Sequence, residues 1–227
     1  MDPAAFRKQN IDNTLAVGPR WQAVLSAAQA ISNWQPKVTN SVKQTGDVRK
    51  GRGLAFGTFA NSQVAMVADI EVSIKTGKIV AKHLYIAHAN GVSMSPDLIA
   101  NQAEGAAIQG LSRALYEELT FTKERVTSTD WVSYPILRIK DSPYVTVAIV
   151  APDGYVVNKP GGGTNVQKGN TAAAAAGWAT TGAGEPAQVP PAAAVANAFF
   201  DATGVRIRQA PMSPVHVRTT LKAAGIA

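Results

Sequence analysis

The sequence predicts an α+β fold, in which mixed sheets pack against helices. Apolar residues alternate with other residues from Gln63 to Ile74, which is typical of a β-strand. The turn Lys75-Thr76-Gly77-Lys78 joins this run to a second one, Ile79 to Ala89, and so predicts a hairpin. Ser95-Pro96-Asp97 then supplies a capping serine, a first-turn proline and a first-turn acid, which indicate the start of a long helix.

Two helices are predicted before the hairpin. Asp2-Pro3 caps and starts a short helix through Phe6 to Ile11, and the apolar spacing predicts a second helix from Pro19 to Asn33. Residues 36–50 are polar and predict a loop. Gly51-Arg52-Gly53 then leads into an apolar segment that ends at Phe59.

The long helix is expected to run from Pro96 to about Leu119 and to have two different faces. Its small and amide-bearing face would let a ligand or another backbone approach closely, and the amides could both donate and accept hydrogen bonds. The predicted apolar stripe contains Ile108, Leu111, Leu115 and Leu119, and the opposite face contains Gln102, Gly105, Ala106, Gln109 and Arg113.

The second half of the chain contains further elements around a glycine- and alanine-rich excursion at residues 158–181. That excursion has no Gly-Lys-Ser/Thr ending, so it is not a phosphate loop. We expect it to be flexible, with a short alanine helix. The other predicted elements are a strand at Val126 to Tyr134, a strand at Pro143 to Val150, a helix at Ala192 to Thr203 closed by Gly204, and a short helix after Pro214.

Composition excludes several classes of function. The 227 residues are 46% hydrophobic and 16% charged, as expected for one large or two small globular domains. The net charge is +7, but lysine and arginine are scattered singly, so the sequence argues against a nucleic-acid partner. Without cysteine the chain cannot hold a disulfide or an iron–sulfur cluster. No apolar run reaches the length of a membrane span.

The stretch Thr181-Gly182-Ala183-Gly184-Glu185-Pro186 is the main candidate for chemistry. Gly184 permits a tight fold before Glu185 and Pro186 stiffens the chain after it, so the carboxylate would be presented at a fixed point. The stretch also fits a loose G-x-G-x-x-A pattern, but a dinucleotide site requires a preceding strand and an uninterrupted helix, which are lacking. From the residues alone, a surface turn carboxylate remains the alternative for Glu185, and a surface amide remains the alternative for Gln102.

The histidines and serines add no obvious site. His83 and His88 would point to opposite faces of one strand, which argues against a local zinc site. No serine lies in a G-x-S-x-G elbow, so the simplest hydrolase interpretation is excluded.

Several separated motifs, taken together and in order, resemble the C-terminal part of the molybdenum-binding subunit of the xanthine dehydrogenase and aldehyde oxidase family. The resemblance covers most of the chain and is greatest to bacterial isoquinoline and nicotinate oxidoreductases and related aldehyde dehydrogenases. The motifs are Asp2-Pro3-Ala4-Ala5-Phe6-Arg7, Val67-Ala68-Asp69-Ile70-Glu71-Val72, the stretch from Asn101 to Ser112, Ala114-Leu115-Tyr116-Glu117-Glu118, Gly182-Ala183-Gly184-Glu185-Pro186, and the stretch from Ala196 to Arg208.

The resemblance implies roles for four residues. In that family the glutamate of the Gly-Glu-Pro motif, here Glu185, is the general base that takes the proton from the attacking hydroxyl. The glutamine of the Gln-x-Glu-Gly motif, here Gln102, lies near the pterin or the molybdenum ligands. Gly105 and Gly184 are expected to line the cofactor site with it. None of these residues is expected to bind the metal directly.

The resemblance also implies a reaction, cofactors and partners. The reaction is hydroxylation of an aldehyde or N-heterocycle with oxygen from water. The cofactor would be molybdenum–molybdopterin, in its cytosine dinucleotide form, shared with an N-terminal molybdopterin-binding chain or portion. Iron–sulfur clusters would belong to a separate 2Fe-2S subunit, and cytochrome c or another acceptor would receive the electrons. The chain would be inactive without its partner.

In this interpretation the whole chain, residues 1–227, is a C-terminal molybdopterin-binding lobe. It divides into a helical lead-in at 1–50, a hairpin with the glutamine helix and strands at 51–157, the excursion at 158–181, and the Gly-Glu-Pro motif with C-terminal helices at 182–227. The stretch from His88 to Pro96 departs from the family, which usually has an aspartate there. A non-catalytic paralogue or an isolated fragment is therefore the alternative function, and a nucleic-acid-binding module is a more distant one.

Overall fold

A computed structural model describes residues 1–15, 17–36, 44–151, 154–158, 164–167 and 178–226, with 154–158 and 164–167 described by their backbone. The helices are α1 (Pro3–Asn10), α2 (Gly18–Ile31), α3 (Pro96–Leu115), α4 (Pro191–Thr203) and α5 (Pro214–Ala223). The strands are β1 (Val48–Phe59), β2 (Ser62–Ser73), β3 (Ile79–Ala89), β4 (Tyr144–Ala151), β5 (Gly154–Asn158) and β6 (Thr164–Gln167). Short 3₁₀ turns occur at Ile139–Asp141 and Pro186–Gln188.

The strands form one mixed sheet of six strands in the order in which they occur along the chain. All neighbouring strands are antiparallel except β3 and β4, which are parallel, with His88 opposite Ile149 at one end of the pairing. A parallel pair needs a long crossover, and the segment that contains α3 provides it. The α+β class expected from the sequence is confirmed.

Helices cover both faces of the sheet, so β2 is buried on both sides. Val64, Met66 and Ile70 belong to the core formed with α3, α4 and α5. Ala65 packs on the opposite face with residues of α2, and Val67 packs there with residues of α1 and α2. Because successive side chains of a strand point to opposite faces, a strand covered on both faces needs the nearly continuous apolar run seen here.

Helix α4 lies in direct backbone contact with β1. A side chain at Gly51 or Gly53 would overlap the backbone of α4, at Ala198 in the first case and at Ala194 and Ala198 in the second. Two side chains of α4 also hydrogen-bond the outer edge of β1. Asp201 accepts from the Arg52 N–H at 2.9 Å, and Asn197 donates to the Leu54 carbonyl at 3.0 Å. These bonds satisfy edge groups of β1 and fix α4 along the strand.

The Arg52 side chain connects β1 to β2 and to the end of α2. Its guanidinium forms two bonds to the Asp69 carboxylate, at 2.5 and 2.6 Å, and a third to the Ser32 carbonyl at the end of α2. The planar guanidinium matches the two carboxylate oxygens, and the pair is partly shielded from water. The end of α2 is thereby held against β1 and β2.

The caps predicted at Asp2 and Gly204 are confirmed. The Asp2 carboxylate accepts from the Ala4 and Ala5 amides, and Gly204 ends α4 in the left-handed conformation with φ 75°. Ser95 precedes α3 as predicted, although its side chain makes no capping hydrogen bond. Within the described residues, none of the helices has the length and apolarity needed to cross a bilayer.

The predicted length of α3 was wrong. The helix ends at Leu115, and Leu119 lies beyond it with 58% of its surface exposed. Contacts distant in sequence redirect the chain here: the Ser112 hydroxyl accepts from the Leu137 N–H at 3.0 Å, and Glu117 accepts from the Tyr134 hydroxyl at 3.0 Å. Two predictions of burial on α3 were also wrong. Ile108 was predicted to be in the buried stripe but is only half-buried, and Ala106 was predicted to be on the opposite face but is buried.

The predicted strand from Val126 to Tyr134 was also wrong. Only an isolated bridge between Phe121 and Val126 forms there. The Asp130 carboxylate accepts from the Val132 and Ser133 amides at 3.0 and 2.8 Å, which closes a local turn. Such side-chain bonds to the backbone compete with strand pairing.

Within the excursion at 158–181 the structure shows β6, which the sequence analysis did not predict. The five consecutive alanines, for which we expected a short helix, lie outside the described residues.

His88 is buried in the sheet. Its side chain is fully enclosed, and neither ring nitrogen has a partner among the residues that the structure describes. Burial disfavours the charged imidazolium and lowers the pKa of His88 to about 4. The neutral ring is therefore the form that the folded chain tolerates.

We predict that Gly53→Ala destabilises the chain by about 2 kcal/mol, because the added methyl group forces α4 away from β1. Gly105→Ala is the matched control, since no atom of the described residues beyond the adjoining backbone of α3 lies within 4 Å of the position of its methyl group. There the exchange should stabilise α3 by up to about 1 kcal/mol. Urea unfolding measures both changes, and equal effects at the two positions would contradict the packing argument.

We predict that stability falls as the pH is lowered from 6.5 towards 4, because the unfolded state takes up a proton that buried His88 does not. At about 1.4 kcal/mol per pKa unit the loss is on the order of 3 kcal/mol. His83, whose pKa is also lowered by burial, contributes in the same direction. Urea unfolding between pH 4.5 and 7.5 should show that the free energy of unfolding depends less steeply on pH in His88→Phe than in the wild type, and an equal dependence in the two would contradict this account.

Candidate functional site

Two distant motifs meet at the amino-terminal half of α3. The side-chain amide of Gln102 donates a hydrogen bond to the carbonyl of Gly184, over 3.4 Å between the nitrogen and the oxygen. Glu185 follows Gly184 directly, so its backbone lies near the Gln102 amide, although Gln102 and Gly184 are 82 positions apart in the chain. The fold thus gathers three of the four residues that the sequence analysis selected.

Glu185 is held by its backbone while its side chain is exposed. It precedes the 3₁₀ turn, and its carbonyl accepts from the Gln188 N–H at 2.9 Å. The next two residues, Pro186 and Ala187, are buried against the core. The backbone that carries the Glu185 carboxylate is therefore fixed in position, as the Gly-Glu-Pro sequence predicts.

A pair of short hydrogen bonds fastens the 3₁₀ turn to α3. The Gln188 amide donates to the Gln109 side chain at 2.6 Å and its oxygen accepts from Arg113 at 2.6 Å. Gly110 lies beneath this contact, and a methyl group there would come within 2.7 Å of the Gln188 carbonyl and 2.9 Å of Pro191. We call Gln109, Gln188 and Arg113 the amide clamp.

The chain before the turn is fastened at the ends of β1, β2 and β3. The Thr181 N–H donates to the Asn90 carbonyl at 2.9 Å, and the Gly182 N–H donates to the Ala60 carbonyl at 3.1 Å. The Ser62 hydroxyl lies 2.7 Å from the Thr181 hydroxyl and also bonds the Gly182 carbonyl. The loop that presents Glu185 is therefore attached to the sheet before it and to α3 after it.

The site has open space at two glycines. Apart from the adjoining backbone, no atom of the described residues lies within 4 Å of the position that a methyl group would take at Gly105 or at Gly184. Gly105 is three residues after Gln102 and so lies on the same side of α3. The Gln102 amide, the Gly184 carbonyl and the two uncovered glycines are groups that a flat polar ligand could contact.

Sequence reasoning missed the residues that position this site. Ser62 and Asn90 are polar residues at strand ends, and nothing in the sequence relates them to residue 182. Nothing in the sequence marks Gln188 as a positioning residue either. Gly110 could have been recognised, because a glycine inside a helix costs about 1 kcal/mol relative to alanine and so indicates close packing.

A model of the family described as "Molybdopterin cofactor-binding domain" matches residues 3–143, which is more than half of the chain. Among curated proteins, one of the subunits of nicotinate dehydrogenase from Pseudomonas putida is 31% identical over 99% of this chain and 17% of its own length. The beta subunit of isoquinoline 1-oxidoreductase from Brevundimonas diminuta is 28% identical over 94% of this chain and 23% of its own length.

Solved structures share the fold at lower identity. Aldehyde oxidoreductase from Desulfovibrio gigas superposes with a TM-score of 0.55 at 24% identity, over 71% of this chain and 15% of that one. Quinoline 2-oxidoreductase from Pseudomonas putida 86 superposes with a TM-score of 0.56 at 20% identity, over 71% of this chain and 19% of that one.

The chain spans only 17% of the nicotinate relative and 23% of the isoquinoline relative. Both the family model and these relatives agree with the family that the separated sequence motifs indicated. The chain therefore belongs to the molybdopterin cofactor-binding domain family, as its resemblance to the xanthine dehydrogenase and aldehyde oxidase family predicts.

Proposed function

We propose that this chain supplies the general-base carboxylate and part of the molybdopterin site of a molybdenum hydroxylase. The enzyme would hydroxylate an aldehyde or an N-heterocycle with oxygen derived from water. Glu185 would be the base, and Gln102, Gly105 and Gly184 would contact the cofactor. The observation that supports this most directly is the hydrogen bond between Gln102 and Gly184 next to Glu185.

In this proposal the bound molybdenum–pterin supplies the two-electron redox chemistry, and the protein positions groups and moves the proton. Glu185 accepts a proton from the oxygen nucleophile, which makes that oxygen a better attacking group. The anchored turn fixes the backbone position from which the Glu185 side chain extends. Gln102 offers an amide that can donate to one ligand atom or accept from another, while Gly105 leaves room for close approach.

The same proposal requires other chains. Glu185 is exposed here, whereas a general base works best in a site from which water is excluded. We therefore propose that an N-terminal molybdopterin-binding chain or portion completes the site, and that this chain alone is inactive. The cofactor would be the cytosine dinucleotide form. Because this chain has no cysteine, a separate 2Fe-2S subunit would pass the electrons to cytochrome c or another acceptor.

We predict that Glu185→Gln in the assembled enzyme lowers kcat by about 10²- to 10⁴-fold, because the amide cannot accept the proton. Molybdenum and pterin content should be unchanged, since the amide has nearly the shape of the carboxylate. Glu118→Gln, at another exposed glutamate, is the control and should leave turnover unchanged. Wild-type turnover in Glu185→Gln would disprove the general-base role.

We predict that the amide clamp holds the Glu185 turn closed. Gln188→Leu should speed hydrogen exchange of the Gln188 and Val189 amides, which bond the Glu185 and Pro186 carbonyls, by about tenfold. Gln188→Glu should keep protection, because its carboxylate can accept from Arg113 and from a flipped Gln109 amide. Exchange in the middle of α4 is the internal control. Equal protection in the wild type and Gln188→Leu would show that the clamp is not needed.

A further inference from the structure

Arg20 is a buried cation near the start of α2, which packs on the face of the sheet opposite α3. The residue is only 7% exposed, and among the residues that the structure describes no carboxylate forms an ion pair with it. Burial lowers the pKa of Arg20, but a guanidinium stays charged at neutral pH. Because a buried charge is costly unless it is hydrogen-bonded, its other bonds must account for its place in the fold.

The Arg20 guanidinium bridges two backbone carbonyls from different parts of the chain. It donates to the Ala179 carbonyl at 3.0 Å and to the Asn61 carbonyl at 3.4 Å. Its central carbon also lies 5.0 Å from the ring centroid of Trp178. Ala179 belongs to the loop that leads to Glu185, and Asn61 belongs to the turn between β1 and β2. An arginine suits this bridge better than a lysine, because it combines a fork of donors with a plane that stacks on a ring.

The turn between β1 and β2 holds the same loop at a second point. Ala60 and Asn61 both have left-handed backbone conformations, with φ of 48° and 60°. Residues other than glycine need support from their surroundings to keep such a conformation. The Ala60 carbonyl accepts from the Gly182 N–H at 3.1 Å. Arg20 therefore acts on the loop twice, by its own bond and through the turn that binds Gly182.

The loop also packs closely against Gly91, just after β3. Gly91 has a φ of 77°, and a methyl group there would overlap the Ala179 carbonyl. That carbonyl thus has the Gly91 backbone against it and the Arg20 guanidinium bonded to it. A backbone group in such close contact can move only if the surrounding packing opens.

We propose that Arg20 is a positioning residue for Glu185, which it affects from the opposite face of the sheet through the loop at residues 178–182. This inference rests on the proposed function, in which Glu185 is the base. Without the bridge the loop loses its attachment to α2, and the backbone that leads to Glu185 is less well fixed. Because catalysis tolerates little displacement of a reacting group, the effect falls on the rate of turnover.

Hydrogen exchange of the full chain tests the structural step without turnover. In Arg20→Met the Thr181 and Gly182 amides should exchange about tenfold faster, because the loop that carries them opens more often. Arg20→Lys keeps the charge and loses the fork, so it should change the same amides in the same direction, and it replaces Arg20→Met if that variant does not fold. Unchanged exchange of these amides in the Arg20 variants would overturn the proposal.

Arg7→Met is the matched control for this measurement. Arg7 is also half-buried and also donates to two backbone carbonyls, those of Pro3 and Leu54, but these belong to α1 and β1 and not to the loop. Its substitution should leave the exchange of Thr181 and Gly182 unchanged. Equal acceleration by Arg7→Met would show that the loss of any such arginine loosens the loop, and would also overturn the proposal.

Turnover of the assembled enzyme tests the link to Glu185. Arg20→Met should lower kcat about tenfold, with the molybdenum content unchanged. In the Glu185→Gln background the same substitution should leave the residual kcat unchanged, because there is no longer a base to displace. A residue with a general structural role would lower kcat by the same factor in both backgrounds. That result, or full turnover in Arg20→Met, would overturn the positioning role.

The positioning role and the general-base role can fail separately. If Glu185→Gln keeps wild-type turnover, the general-base role is wrong, while faster exchange in Arg20→Met would still show that Arg20 holds the loop. If Glu185→Gln is inactive and Arg20→Met changes neither exchange nor kcat, the general base stands and the positioning role is wrong.

Discussion

The contact between α4 and β1 is the constraint on which the site depends. Gly51 and Gly53 let the helix backbone lie directly on the strand, and Asp201 and Asn197 hydrogen-bond the strand edge. The 3₁₀ turn after Glu185 leads within a few residues into α4. Because the helix cannot slide along a strand to which it is fastened at several points, the position of the turn is fixed from its carboxyl-terminal side.

The site is a junction of three independently anchored pieces. The loop at residues 181–182 is attached to the strand ends, the turn at 186–188 is attached to α3 by the amide clamp, and α3 itself packs on the sheet. Glu185 lies between the first two attachments. Its backbone is therefore preorganised while its carboxylate stays accessible, which suits a residue whose environment another polypeptide would complete.

The errors of the sequence analysis share a physical origin. The helix pattern predicted Leu119 as part of a buried stripe, but α3 ends at Leu115, where Ser112 and Glu117 accept hydrogen bonds from a segment about twenty residues later. The stretch from Val126 to Tyr134 was predicted to be a strand, but the Asp130 carboxylate closes a turn instead. Periodicity reports which residues prefer burial, and it contains no information on which distant polar partners will compete for the backbone.

The sequence by itself determined the fold class and most element starts, because caps, turns and apolar alternation are local features. It also determined the family, because the family motifs are contiguous in the chain. Those motifs supplied the candidate residues, which are Glu185, Gln102, Gly105 and Gly184. Only the tertiary structure decided that Gln102 reaches Gly184, that Gln188 joins Gln109 and Arg113, and that Arg20 reaches the Ala179 carbonyl. These relations join residues far apart in the chain. They follow from how α3, the 3₁₀ turn and the sheet pack, and packing is a property of the whole fold.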